Sequence, residues 1–289
     1  MSGFVGVVNL KHSLSNQKNI ILAMNDTLEK RGPDECGYYT EDNILLGHRR
    51  LITIDPDGGK EPMSFKYNGQ IYSIVYDGNI YNTKELKKEL IENKFTFETY
   101  SDAEVLLKAY IYFKEDVIHK INGSFAFAIW NSKDKKLFIA RDHFGVKPLY
   151  YTFFNNNFIF ASEIKAILRF PRIESILDKQ GLFELIGLGP AHTSGLTAFK
   201  NIYEVKPANF IVFNNSEIHI NRYWKLKSKN HTDSLGKTSE TIRFLIEESI
   251  KNQLISDAPL CTFLSGGLDS SIITLYASNY FKEKRITSS

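Results

Sequence analysis

Apolar residues run almost unbroken from Phe4 to Leu10, the pattern of a strand buried on both sides, which would hold the amino terminus rigidly. A helical face follows over Asn16–Lys30, with Ile20, Ile21, Ala23, Met24 and Leu28 on one side, and Arg31-Gly32-Pro33-Asp34 stops it. Short strands are predicted around Gly37–Thr40 and Ile44–Leu46. Gly47-His48-Arg49-Arg50 leads into the apolar run Leu51–Ile54, and Asp57-Gly58-Gly59 makes a turn. The strongest strand signal, Ile71–Tyr76, ends at Asp77-Gly78-Asn79. Thr83–Glu92 reads as a helix. Ser101 and Glu104 form a capping box that starts a second helix, running to about Phe113.

A strand from Gly123 to Trp130 turns at Lys133-Asp134-Lys135 and returns over Leu137–Ala140. Leu149–Phe153 and Phe158–Ala161 flank Asn155-Asn156-Asn157. Helices are predicted at Glu163–Arg169 and Lys179–Leu188, and a last hairpin at Phe210–Phe213 and Glu217–Ile220. The polar stretch Lys225–Ser234 marks a boundary. Beyond it come a helix over Ser239–Leu254, a strand over Leu260–Leu264, a glycine turn and a helix from Asp269. The pattern predicts an α+β layered domain over residues 1–224, a linker over 225–238, and the start of a βα unit of a parallel sheet over 239–289.

Composition narrows the function class. The 289 residues are 43% hydrophobic and 24% charged, as in a globular protein. The net charge of +3 is spread along the chain, so neither a nucleic-acid arm nor a polybasic membrane patch stands out. No run has the length of a membrane span. Cys36 and Cys261 are far apart in sequence, which fits reduced thiols in the cytoplasm.

Two stretches carry candidate chemistry. If Met1 is removed, Ser2 becomes the amino terminus, with a hydroxyl nucleophile and an α-amine of pKa about 8 that can serve as its base. The bland alternative is an ordinary exposed second residue. Phe263-Leu264-Ser265-Gly266-Gly267-Leu268-Asp269-Ser270-Ser271 has the strand–glycine loop–helix form of a phosphate site, in which backbone N–H groups and a helix terminus meet an anion. A plain turn with Asp269 as N-cap would look similar.

That loop resembles the pyrophosphate loop of the ATP pyrophosphatases. The strings before it resemble, in order, those of the glutamine-hydrolysing asparagine synthetases: Arg31-Gly32-Pro33-Asp34, Gly47-His48-Arg49-Arg50-Leu51, Pro62-Met63, Ile80-Tyr81-Asn82, Ser101-Asp102-Ala103-Glu104, Phe125–Trp130, Ala140–Tyr151 and Ala161–Lys165. The resemblance implies a class II glutaminase domain with the four-layer αββα sandwich of N-terminal-nucleophile hydrolases. It implies, after it, the opening of a synthetase domain that uses ATP with Mg2+ to adenylate aspartate and receives ammonia through a tunnel. Within it, Arg50 grips the glutamine carboxylate, a bidentate task that suits a guanidinium. Leu51 and Ile54 line the glutamine, and Asp102 receives its amine, although Asp102 could instead simply favour its helix dipole. Phe263 and Ser265–Ser271 meet ATP. A homodimer, or a partner chain that completes the synthetase domain, is left open.

Three positions depart from the family pattern. Ser2 replaces the nucleophilic cysteine. Asp77-Gly78-Asn79 replaces Asn-Gly-Glu, in which the Asn side chain and the Gly N–H hold the oxyanion and the Glu contacts the amine. Loss of one oxyanion donor costs roughly two to three powers of ten in rate. The expectation is an impaired glutaminase site on an intact scaffold, with none of the three at a core packing position. Leu260–Ser289 is expected to be loosely packed or covered by a partner, and the chain by itself to make no asparagine. A binding scaffold without turnover and a β-lactam-synthetase-like relative are the alternatives.

Overall fold

The computed structural model describes residues 1–189 and 193–283. Contacts divide the chain into two units: residues 1–52 with 57–225, and Thr53–Pro56 with the chain from Leu226 on.

Two six-stranded sheets build the first unit. In the first, β1 (Gly3–Asn9) lies between β3 (Ile44–Arg50) and β9 (Asn157–Ala161), with β2 (Glu35–Glu41) beyond β3 and β8 (Tyr150–Phe154) and β10 (Tyr203–Glu204) beyond β9. In the second the order is β12 (Glu217–Arg222), β11 (Asn209–Asn214), β7 (Lys136–Arg141), β6 (Gly123–Asn131), β5 (Gln70–Ile80) and β4 (Met63–Tyr67). Each adjacent pair is antiparallel.

Side-chain alternation sorts the core into three slabs. Phe4, Val8, Leu46, Phe158 and Phe160 from the first sheet meet Val75, Ala128, Ile139 and Phe213 from the second. On the outer face of the first sheet, Val5, Val7 and Leu45 pack against Ile21 and Met24 of α1 (Lys18–Asp26) and Ile167 of α4 (Ile164–Leu168). On the outer face of the second, Tyr72, Ile74, Tyr76 and Phe127 pack against Leu86 of α2 (Thr83–Glu92) and Leu106 and Tyr110 of α3 (Asp102–Phe113). The result is the helix–sheet–sheet–helix sandwich that the resemblance implied.

Gly6 faces the inter-sheet slab: a Cβ there would lie 2.1 Å from the Phe160 ring, so only glycine lets that ring cross β1. Helix α5 (Lys179–Gly187) follows the sandwich's last helix, capped by Asp178.

Several local expectations change. Strand β5 does not stop at Tyr76. Asp77, Gly78 and Asn79 pair with Ala126, Phe125 and Ser124, and this ladder overrides their turn preference. Gly78 permits it, since a Cβ would lie 2.4 Å from Ser124 O. Leu51–Ile54 continues no strand, β3 ending at Arg50. Ser101 Oγ caps Ala103 N (3.1 Å), but Glu104 completes no box; it binds the N–H groups of Glu98 and Thr99 and the Lys108 ammonium. Strands β4 and β10 and a 3-10 helix over Lys114–His119 are additions.

The second unit contains α6 (Leu235–Gln253) and α7 (Leu268–Glu283). Helix α6 starts at Leu235, capped by Ser234, earlier than the expected Ser239. Residues 260–264 form no strand: among the described residues no strand offers a ladder partner, and a single strand without neighbours is not stable in water. Among the unit's described residues the only buried apolar ones are Ile250 and Ala277, while Phe244, Leu245, Phe263 and Leu268 stand exposed. The expectation for Leu260–Ser289 runs past Glu283, where it lies outside the described residues. No helix among the described residues is long and apolar enough to cross a membrane.

Phe158 and Phe213 stack across the two sheets with centroids 4.9 Å apart, and both are fully buried. Phe158→Ala should cost about 3–5 kcal/mol in urea unfolding of the first unit. A loss under about 1 kcal/mol would contradict this slab as the shared core.

Candidate functional site

Ser2 immediately precedes β1, whose entry is fixed by the pairing of Gly3 with Arg49 and by Phe4 N–H donating to Ser162 Oγ (3.0 Å). The Ser2 hydroxyl accepts from Leu51 N–H (3.2 Å), and its carbonyl accepts from Arg31 Nε (2.8 Å). Arg31 leaves the turn after α1. Gly32 lets that turn lie on β3, since a Cβ would meet the Arg49 backbone at 2.2 Å.

The Arg31 guanidinium then reaches across to the second sheet. Nη2 binds Asp77 Oδ2 at 2.8 Å and Nη1 approaches Glu163 at 3.4 Å. Lys147 Nζ stands 3.5 Å from the other Asp77 oxygen. The loop that delivers Lys147 is wound round Asp142, whose carboxylate accepts from the N–H groups of Phe144, Val146 and Lys147, each at 3.0 Å. Asp77 is only 2% exposed and shares the inter-sheet face of β5 with Val75. The expectation that it lies off the packed core is therefore corrected: a carboxylate sits inside because two cations hold it there. The Met1 ammonium lies in the same field. Burial holds it below its ordinary value and Lys147 and Arg31 add to that, against the opposite pull of Asp77.

Alternation along β3 separates the two arginines. Arg49 points to the helix side and pairs with Asp26 of α1. Arg50 lies on the face of Ile44, Leu46 and His48, between the sheets, and its Nη1 binds Glu35 at 2.7 Å. Asp102, the first residue of α3, is buried; it accepts from Tyr76 Oη (2.6 Å) and Ile80 N–H (3.1 Å). Burial raises its carboxyl above the usual range against those hydrogen bonds. Gly78 and Asn79 follow Asp77 on β5. Ile54 falls in the second unit, where Thr53 O accepts from Asp257 N–H (2.8 Å) and Asp257 accepts from Asp55 N–H (2.8 Å).

The sequence reading gave no role to Arg31, Lys147, Glu163, His48 or Glu61. The first four lie inside the strings quoted above, which was the available signal. Glu61 lies one residue before such a string, and nothing marked it.

In the second unit, Gly266 takes φ +84°, a left-handed turn that suits glycine. Ser265 Oγ meets Ser270 Oγ at 3.0 Å, and Ser270 and Ser271 hydroxyls donate to Gly267 O. Phe263 is 91% exposed. A cavity of about 830 Å³ opens against the loop, lined by Ser265, Gly267, Asp269, Ser270 and Cys261. Among the described residues no three His, Cys, Asp or Glu side chains converge to hold a metal.

His48 is fully buried, and burial pushes its imidazole down to about 4. An unfolded histidine titrates near 6.5, so the unfolded chain takes the proton first, and stability present above that value is lost as pH falls toward 4. The span is about 3 kcal/mol. Measured against His48→Gln at each pH, the unfolding free energy of the unsubstituted chain should fall by about 2–3 kcal/mol between pH 7 and pH 4. The pairwise comparison cancels Glu61, whose raised value acts in the opposite direction. A flat difference would show that His48 is not held neutral.

Comparison with known proteins identifies the family and the fold. Residues 1–224 match the family described as glutamine amidotransferase domain, and residues 241–289 match asparagine synthase. The chain is 46% identical over 284 residues to asparagine synthetase [glutamine-hydrolyzing] 3 of Bacillus subtilis, covering 98% of this chain and 46% of that protein. It is 30% identical over 287 residues to asparagine synthetase B [glutamine-hydrolyzing] of Escherichia coli, covering 97% and 45%. The chain thus spans less than half the length of either relative. Glutamine phosphoribosylpyrophosphate amidotransferase from B. subtilis shares the fold, with a TM-score of 0.56 at 16% identity over 96% of this chain and 64% of that one. The chain belongs to the glutamine amidotransferase domain family, and its last part matches asparagine synthase.

Proposed function

We propose that the first unit is a glutamine-binding amidotransferase module whose hydrolytic step is slowed by its own oxyanion residue. The observation that carries this reading is the Arg31 bridge, which joins the carbonyl of Ser2 to the carboxylate of Asp77. With Met1 removed, the Ser2 hydroxyl attacks the glutamine amide carbon and its proton passes to the Ser2 amine. The C–N bond then breaks, ammonia leaves, and water hydrolyses the γ-glutamyl ester to glutamate. Arg50, seated between the sheets and braced by Glu35, takes the substrate carboxylate; Asp102 takes the amine.

The difficulty lies at the developing oxyanion. The Gly78 N–H is one donor, but Asp77 brings a carboxylate where an amide should donate. Arg31 and Lys147 neutralise that carboxylate, so Asp77 does not repel the oxyanion at full charge; neither does it donate to it. A binding scaffold without turnover is the second reading, and the same residue favours it.

The second unit supplies, in this reading, the pyrophosphate loop for ATP, with Phe263, Leu268 and the hydroxyls of Ser265, Ser270 and Ser271 around the left-handed turn at Gly266. Mg2+ would find one carboxylate there, Asp269, which suits an ion carried largely by the nucleotide's phosphates. Adenylation of aspartate and its amidation belong to the longer protein that the relatives represent.

Glutamate release from glutamine by the processed chain tests the proposal. Asp77→Asn should raise the rate by roughly 10²–10³. Ser2→Ala should abolish it, and Ser2→Cys with Asp77→Asn should give the fastest form, since a thiolate is the better nucleophile. Release that persists in Ser2→Ala would refute the assigned nucleophile. A silent Ser2→Cys, Asp77→Asn form that still binds glutamine would establish the scaffold reading.

A further inference from the structure

Glu61 is a buried acid that the glutamine reading leaves without a role. Glu61 lies in the segment that leads into β4, and its side chain is 6% exposed. Its Oε2 has no hydrogen-bond partner among the described residues. The groups that face it come from three elements: His48 and Arg50 of β3, Tyr76 and Asp77 of β5, and Asp102 at the start of α3. His48 cannot satisfy it. Its Nε2 is 3.8 Å from Oε2 and instead donates to Tyr76 O at 2.9 Å, which leaves Nδ1 as an acceptor, also without a partner. Burial and the neighbouring Asp102 carboxylate push the Glu61 carboxyl well above its usual range.

A buried carboxyl with one unpartnered oxygen, in the field of a second buried acid, costs free energy that a cation reaching both would recover. The place is specific. Arg50 and Asp102 both act electrostatically on Glu61, one as a cation and one as an acid, so the cluster holds the two charges that an amino acid's charged ends would meet. Asn79, on β5, brings no charge to it. We propose that Glu61 and Asp102 together seat the ammonium group of an α-amino acid ligand, with Glu61 supplying the second carboxylate that Asn79 does not. The inference rests on the glutamine reading and adds a specificity-determining residue to it.

The charge balance gives a readout that a merely structural Glu61 would not produce. In the empty cluster burial and the neighbouring Asp102 favour the protonated form of Glu61. When an ammonium arrives, Glu61 ionises and the proton passes to solvent, so one positive charge enters as another leaves.

Isothermal titration of the chain near pH 7, in two buffers of different ionisation enthalpy, counts that proton. The probes are L-glutamine and glutaramic acid, which keeps the amide and carboxylate but lacks the α-amine. Glutamine should bind with release of about one proton and glutaramic acid with none. Glu61→Gln, nearly isosteric, should weaken glutamine about 10-fold or more, remove the proton release and leave glutaramic acid unchanged. Glutamine binding to the unsubstituted chain without proton release would overturn the proposal, whether or not the variant folds. So would full affinity in Glu61→Gln with loss in Asp102→Asn; Asp102 would then be the whole seat and the glutamine reading would stand. Failure of the unsubstituted chain to bind either compound would overturn the glutamine reading and this inference together.

Discussion

Strand β1 has no face turned to water. Phe4 and Val8 pack between the sheets, Val5 and Val7 pack under α1, and both edges are paired, to β3 and to β9. Chain termini ordinarily fray because little holds their backbone. Here the residues next to the terminus are among the most buried in the unit, so Ser2 is delivered to a fixed point at the end of the inter-sheet slab. A rigid element under a reacting group is what a nucleophile at a chain end requires.

Around that point the protein buries charge in two ways. Asp77, Arg31, Lys147 and Glu163 form a paired set in which every member has an oppositely charged neighbour within 3.5 Å, and Glu163 extends it to Lys165 at 2.6 Å. Such a set is expensive to desolvate but keeps its geometry, because removing one partner strands the others. Glu61 and His48 form an open set, each with a buried atom that has no hydrogen-bond partner among the described residues. The paired set fixes the carbonyl of Ser2 through Arg31; the open set lies beside the expected amino acid pocket. Paired charge builds the site's frame, and unpaired charge marks where a ligand's own charge belongs.

The layered fold was legible because its signals are periodic: an apolar run for β1, helical stripes for α1 and α2, and strong alternation in β5 and β6. The misreadings share one cause, tertiary pairing overriding local preference. Asp-Gly-Asn is a turn by its residues, yet β6 holds residues 77–79 in the ladder. Leu260–Leu264 is a strand by its residues, yet it has no ladder among the described residues. Of the site, the amino-terminal stretch led to Ser2, the motif strings to Arg50 and Asp102, and the departure from the family pattern to Asp77. Arg31 and Lys147 stayed hidden because charges distant in sequence show no periodicity when they converge. Glu61 was illegible for a different reason: a lone glutamate before a proline reads as surface, and only burial reveals it.

The account stands or falls on Ser2 as an amino-terminal nucleophile. The most direct measurement is acid-quenched mass spectrometry of the processed Asp77→Asn chain after brief mixing with glutamine, with the adduct mapped by proteolysis. The account predicts a γ-glutamyl ester on the peptide that begins with Ser2. Glutamate release with the adduct on another residue, or with Met1 still blocking the Ser2 amine, would contradict it.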